Sequence, residues 1–240
     1  MDVLRSGLFF VLFVVGIIAY ATLIVALWPV TTQAQRRRMA CAWAQYNRRL
    51  LAVVCRLHDH ITGLENLPPP PFVLLCKHQS AWETVTLHAI FPPFVLVLKK
   101  SLLFIPFFGW ALKATGQIAI HRHREIEALR ILQAEGKQHC AQGTSILIFP
   151  EGTRVPPGTV GHYNAGGVML AMAAGVPIVP VAHNAGLFWG RRSFLKKPGV
   201  IQLHIGQPIE TRGLAKNARK AILSQAQEAI ETMMAQINTP

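Results

Sequence analysis

Acidic residues are scarce in this chain: 11 Asp and Glu stand against 24 Lys and Arg in 240 residues, a formal charge of +13. Charge of either sign is thin, at 15%, where a soluble domain is ordinarily about a quarter charged. Cysteine is sparse as well. Four residues, Cys41, Cys55, Cys76 and Cys140, are too few for a disulfide scaffold of this length. They show none of the paired short spacings of a zinc site, and read as reduced thiols, buried or half-buried. A hydrophobic content of 51% excludes a disordered tail. The length allows one large domain or two small ones around a real core. High apolarity with surplus positive charge leaves an anionic membrane surface or a nucleic acid as partner. No nucleic-acid-binding motif accompanies the charge, so the expectation is no nucleic acid, with a non-catalytic, membrane-tethered anion- or nucleic-acid-binding module as the alternative.

From Gly7 to Trp28 the chain carries no charged residue, and Pro29 follows. About 20 apolar residues span a bilayer core as a helix. A signal peptide has a shorter apolar core of about 7–15 residues and a small-residue cleavage site, so a retained membrane anchor is predicted. Arg5 is offset by Asp2 before the run, whereas Arg36, Arg37, Arg38, Arg48 and Arg49 follow it. Positive flanks stay cytoplasmic, which places the bulk of the protein on that side. Residues 36–57 have Met39, Trp43, Tyr46, Leu50, Val53 and Leu57 at three- and four-residue steps, with arginines between them. Such a basic amphipathic helix suits a membrane interface; packing on the core is the competing reading.

A stiff Pro68–Pro71 break follows Gly63. Short apolar runs then recur at Phe72–Cys76, Phe94–Leu98, Gln117–Ile120, Ser145–Phe149, Ile178–Ala182 and Val200–Ile205. Helical patterns at Glu125–Gln142 and Ala215–Ile237 lie between or after them. This interleaving predicts an α/β fold with a mixed, mostly buried β-sheet flanked by helices. The expected organisation is a membrane anchor over residues 1–62 and a catalytic domain over 63–240.

Three stretches carry polar side chains at the ends of apolar runs. In Lys77-His78-Gln79-Ser80-Ala81-Trp82-Glu83, a carboxylate five residues after a histidine would sit about 140° round an ideal helix. The two meet only if His78 lies in the loop and Glu83 on the first helical turn, where the carboxylate can hold one imidazole nitrogen and leave the other as a base. Ser80 and Glu83 also have capping-box spacing. Phe149-Pro150-Glu151-Gly152-Thr153-Arg154 puts a carboxylate and a guanidinium at a strand's carboxyl end, the edge where open α/β sheets bind ligands, and the arginine fork suits phosphate. Gly116–Arg122 runs a strand into a basic cluster, His121 to Arg124. Two histidines one residue apart with no third ligand at regular spacing do not make a metal site.

Taken in order, these stretches resemble the glycerolipid acyltransferases of the 1-acylglycerol-3-phosphate type. The matching blocks are His78–Glu83, Gly116–Arg122, Phe149–Arg154 and Val176–Val181, with Gly63–Pro68 as a typical entry. The resemblance covers roughly Gly63 to Glu210. It implies that His78 is a general base, that Glu83 orients it, and that Arg122, Glu151, Gly152, Thr153 and Arg154 bind the acceptor and its phosphate. It implies acyl-CoA or acyl carrier protein thioester as co-substrate, a lysophospholipid acceptor, no acyl-enzyme, no cofactor and no metal. A bacterial inner membrane, with anionic lipid against the basic helix, is the implied location. Two positions depart from the pattern. Glu83 stands where the family has aspartate, and Asn164 where related bacterial sequences tend to have lysine. The second departure keeps another lysolipid, such as a lyso-ornithine lipid, open as acceptor.

Overall fold

In the computed structural model, which describes residues 1–121 and 123–238, the apolar run folds as helix α1, Asp2–Ala26. Among the described residues it is the one helix long and apolar enough to cross a membrane. Pro29 cannot donate the N–H that a continuing helix requires, and the chain turns through Trp28–Val30, where the Thr31 hydroxyl donates to the Leu27 carbonyl. Helix α2, Gln33–Cys55, starts from a capping box between Thr32 and Gln35. The two helices close into a hairpin because Gly16 leaves room for an aromatic ring. A Cβ there would lie 2.7 Å from the Tyr46 ring, and the Tyr46 hydroxyl donates to the Leu12 carbonyl at 3.0 Å.

The arginines of α2 divide between two tasks. Arg38 and Arg49 are exposed, but Arg36 and Arg37 are buried. Arg36 Nε donates to the Ala114 carbonyl at 2.7 Å and Arg37 Nε to the Thr115 carbonyl at 3.0 Å. They satisfy the orphan carbonyls at the end of helix α4, Phe108–Thr115, where positive charge also meets the negative end of the helix dipole. Arg48 grips Asp59 at 2.6 Å. Of the two readings of this helix, packing on the core holds for Arg36 and Arg37, so the membrane-facing reading is corrected for those two, while Arg38 and Arg49 stay exposed. The domain boundary shifts as well. Residues Leu57–Thr62, expected in the anchor, form strand β1, concealed in the sequence by the polar His58-Asp59-His60 of an edge strand.

The six apolar runs become β2 (Val73–Cys76), β3 (Phe94–Lys99), β4 (Ile118–Ile120), β5 (Ser145–Ile148), β6 (Ile178–His183) and β7 (Gly199–Ile205). With β1 they form a seven-stranded sheet in the order β1-β7-β6-β2-β5-β3-β4. Every pairing is parallel except β6 with β7. Strands β2, β5 and β6 are buried at every residue, as continuous apolar runs covered on both faces should be. Alternation along each strand sorts the core into two layers. Leu74 and Cys76 join Leu147, Val179 and Val181 beneath α1, α2 and the short helix α3, Trp82–Thr86. Val73 and Leu75 join Ile146 and Ile178 beneath α5 (Glu125–Ala141), α6 (Gly166–Ala174) and α8 (Arg219–Asn238). A four-residue helix α7, Ala185–Phe188, leads from β6 into the loop before β7.

Candidate active site

Parallel neighbours β6, β2 and β5 end at one edge of the sheet, so the residues just past their last hydrogen bonds converge there. Strand β2 delivers Lys77 to Ser80, β5 delivers Phe149 to Arg154, and β6 ends on His183.

His78 and Glu83 meet as the sequence predicts: His78 Nδ1 lies 2.5 Å from Glu83 Oε2. The imidazole stacks on the Phe149 ring with centroids 3.9 Å apart. Its backbone is clamped from both sides, the N–H donating to Glu151 Oε2 at 3.0 Å and the carbonyl accepting from the Val155 N–H at 2.8 Å. Glu83 is wholly buried. Its other oxygen, Oε1, accepts the backbone N–H groups of Gln79 at 2.7 Å and Ser80 at 2.5 Å. The contact to the Ser80 N–H is one half of the capping box that the spacing suggests; the other half does not form, since α3 has Ala81 at its N-cap with no side-chain cap and Ser80 Oγ accepts the Trp82 N–H at 3.0 Å. Burial pushes the Glu83 carboxyl up to about 7, opposed by His183, by the two N–H groups and by Arg154.

His183, which sequence reasoning missed, is the second imidazole on this carboxylate. Its Nε2 lies 3.3 Å from Glu83 Oε1 and 2.9 Å from the Lys77 carbonyl, and its Nδ1 accepts the Ala185 N–H at 3.2 Å. A ring nitrogen that accepts a backbone N–H carries no proton, so His183 is neutral with Nε2–H as the donor. Burial lowers its pKa in the same sense. The available signal was positional: a histidine closing an apolar strand run, as His78 follows another.

Glu151, with Gly152 and Thr153, lines a cavity beside the His78 cleft, and its carboxylate also has partners within the fold. Its side chain is turned inward, one oxygen on the His78 N–H and the other 3.1 Å from the buried Lys77 ammonium. Lys77 in turn reaches Glu231 of α8 at 2.6 Å, which also accepts from the Tyr163 hydroxyl at 2.7 Å. Burial raises Glu151 to about 7, with Lys77 opposing. Gly152 occupies a left-handed turn at φ 68, a conformation glycine takes without penalty. Asn164 is equally structural: its N–H and its side-chain amide both donate to the Pro150 carbonyl at 2.9 Å. Arg154 Nε donates to the Ser80 carbonyl at 2.9 Å, which leaves the outer edge of its guanidinium toward the cleft. Arg122 lies outside the described residues.

A cleft of about 280 Å³ exposes His78, Phe149, Thr153 and Arg154 together with Lys99, Arg191 and Arg192. Two further cavities adjoin it. One of about 240 Å³ shares Leu96, Leu98 and Arg154 and runs between α1, α2 and α4. The other, of about 490 Å³, shares Val97, Phe149 and Thr153 and lies on the opposite face of β3. An oriented imidazole, cations and apolar channels in one place suit an amphiphilic anion with a hydroxyl to deprotonate.

Comparison with known proteins agrees with that class. A family model described as Acyltransferase matches residues 59–184. The chain is 38% identical over 236 residues to the 1-acyl-sn-glycerol-3-phosphate acyltransferase of Pseudomonas aeruginosa, covering 98% of this chain and 92% of that one. It is 30% identical over 172 residues to the Saccharomyces cerevisiae protein of the same name, covering 70% of this chain and 57% of the relative. The crystal structure of the 1-acyl-sn-glycerophosphate acyltransferase PlsC from Thermotoga maritima superposes with a TM-score of 0.82 at 20% identity, over 100% of this chain and 97% of that one. This last likeness concerns the fold. The chain belongs to the acyltransferase family and is an O-acyltransferase. Within that family its resemblance is to the 1-acyl-sn-glycerol-3-phosphate acyltransferases.

Proposed function

We propose that the protein transfers an acyl group from a thioester, acyl-CoA or acyl carrier protein, to the sn-2 hydroxyl of 1-acyl-sn-glycerol-3-phosphate, giving phosphatidate. The observation that carries this reading is the 2.5 Å contact from His78 Nδ1 to Glu83. A proton held on Nδ1 by the carboxylate puts the basic lone pair on Nε2. Nε2 takes the hydroxyl proton as the oxygen attacks the thioester carbonyl. The tetrahedral adduct collapses by breaking the C–S bond, and the imidazolium returns its proton to the departing thiolate. The base contributes on the order of 10²–10⁴-fold. Arg154 is assigned to the acceptor phosphate. The step uses one base and one nucleophile, and needs neither an acyl-enzyme nor a metal or cofactor.

A lipid acceptor stays in the bilayer, so its enzyme works at the interface. On α1, Leu4, Leu8, Val11, Val15 and Ile18 form an exposed stripe at helical spacing, while Phe9, Gly16 and Ile24 pack inward. Both ends of α1 are thus held on the globular domain. That arrangement supports a helix lying with its free stripe in one leaflet; the excess of basic residues after α1 is what favours the cytoplasmic face, in a bacterium that of the inner membrane. The test is to incubate purified full-length protein in lipid micelles with labelled acyl-CoA and acyl carrier protein thioesters against a panel of lysolipids. Phosphatidate identified by mass, lost in His78→Ala that still folds, is the expected result. Undiminished turnover in that variant overturns the mechanism, and acylation of a different lysolipid alone overturns the acceptor.

A further inference from the structure

Four cations, Lys99, Arg154, Arg191 and Arg192, line the His78 cleft, and none of its lining residues is acidic. Among the described residues, no carboxylate lies within ion-pairing distance of any of the four. Convergent like charges repel one another unless an anion joins them. Arg154 alone accounts for one anionic group, so the remaining positive charge calls for an explanation of its own.

Arg191 and Arg192 sit at the tip of a built turn. The Ser193 N–H donates to the Gly190 carbonyl at 3.1 Å, and the Trp189 indole N–H donates to the Ser193 carbonyl at 3.0 Å. The turn is fastened to the catalytic loop at two points. Ser80 Oγ donates to the Trp189 carbonyl at 2.6 Å, and Arg191 Nη1 donates to the Arg154 carbonyl at 3.2 Å. Arg192 holds φ 60, a left-handed conformation that glycine adopts freely and a long side chain rarely does. An arginine kept where glycine would fit the backbone better points to a use for its side chain. Both side chains are exposed and are therefore available to a ligand.

We infer that Arg191 and Arg192 form a second phosphoryl-binding pair at the mouth of the His78 cleft, distinct from Arg154. The inference rests on the acyl-transfer reading above. The chemistry recognised is a phosphate ester, whose oxygens match guanidinium forks. Two substrates of the proposed reaction carry one: the lysolipid acceptor at its headgroup, and the thioester donor at its phosphopantetheine arm.

The experiment measures KM and kcat for lysophosphatidate, acyl-CoA and acyl carrier protein thioester separately, with thermal unfolding of each variant alongside. The variants are Arg191→Gln, Arg192→Gln, the double change and Arg192→Gly, all in the full chain. The expected result is a rise in KM of about tenfold either for lysophosphatidate or for the two thioester donors, with kcat falling less than KM rises. Arg192→Gly separates side chain from backbone. It should lose affinity as Arg192→Gln does while unfolding no earlier than the wild type, because glycine relieves the left-handed residue. A rise confined to lysophosphatidate assigns the pair to the acceptor headgroup. A rise shared by both thioesters assigns it to the donor arm. If Arg191→Gln fails to fold, Arg192→Gly decides alone. Unchanged KM for every substrate in a folded variant overturns the pair, whereas a wild-type protein that acylates no lysolipid overturns the underlying reading instead.

Discussion

Replacing Glu83 by glutamine changes the tautomer of His78 with almost no change in shape. Glu83 Oε1 accepts two backbone N–H groups, from Gln79 and Ser80, and lies 3.3 Å from the His183 Nε2 donor. Only an oxygen can stand there, so the amide oxygen of the introduced glutamine must take that place. The amide NH₂ is left facing His78 Nδ1, where Oε2 now lies at 2.5 Å. A donor at that position turns Nδ1 into an acceptor, moves the ring proton to Nε2 and removes the base. The expected loss in kcat is the general-base contribution, about 10²–10⁴-fold, measured as labelled phosphatidate formed at saturating substrates. Folding serves as the control. Because Glu83 is raised from 4.5 to about 7, the stability linked to it is full below about pH 4.5 and is lost as pH rises through about 7. That loss amounts to about 3 kcal/mol. Glutamine has no proton to lose, so Glu83→Gln should unfold in urea no earlier than the wild type at pH 8. Wild-type kcat/KM should also climb as pH rises through about 7, when the carboxylate forms. A folded Glu83→Gln protein retaining a third or more of wild-type kcat would refute the argument.

His183→Phe withdraws the Nε2–H donor from the Lys77 carbonyl and from Glu83. Losing a donor disfavours the carboxylate, so the acid limb of kcat/KM should move to higher pH; a variant that is merely less stable would leave the limb where it is. His183→Gln should recover part of the shift. Phe9 is 1% exposed, whereas Phe10 is 51% exposed. Phe9→Ala should cost about 3–5 kcal/mol in unfolding free energy, while Phe10→Ala should leave unfolding within about 0.5 kcal/mol and weaken retention on anionic vesicles. Equal effects of the two changes on unfolding would contradict the one-sided packing of α1.

The apolar strand runs and the His78–Glu83 pair were legible because each is a local pattern: a run of strand length, or two residues five apart at a strand end. What stayed hidden depends on residues distant in sequence. Strand β1 reads as polar because an edge strand needs only one covered face, and its alternating Leu57, Asp59 and Ile61 are easily taken for a helix end. Arg36 and Arg37 read as lipid-facing because their partners, the Ala114 and Thr115 carbonyls, are 78 residues away. Nothing local announces that the Glu151 carboxylate meets the buried Lys77, with Glu231 behind it. His183 is isolated in sequence and acquires meaning only when β6 and β2 lie side by side.

The contacts of Glu83 link the catalytic loop to the amino-terminal helix. The Glu83 carboxylate bridges Nδ1 of His78 on one oxygen and three N–H groups, two of them backbone, on the other. The same loop carries Ser80, whose hydroxyl donates to the Trp189 carbonyl. Trp189 meets Phe9 of α1 edge-on, with ring centroids 5.6 Å apart. Four consecutive contacts thus connect a helix with a lipid-compatible face to the imidazole whose Nε2 would remove the acceptor's proton. Along that path every link is packing or a short hydrogen bond, and none is a flexible linker. The depth of the base relative to α1 is therefore fixed by the fold.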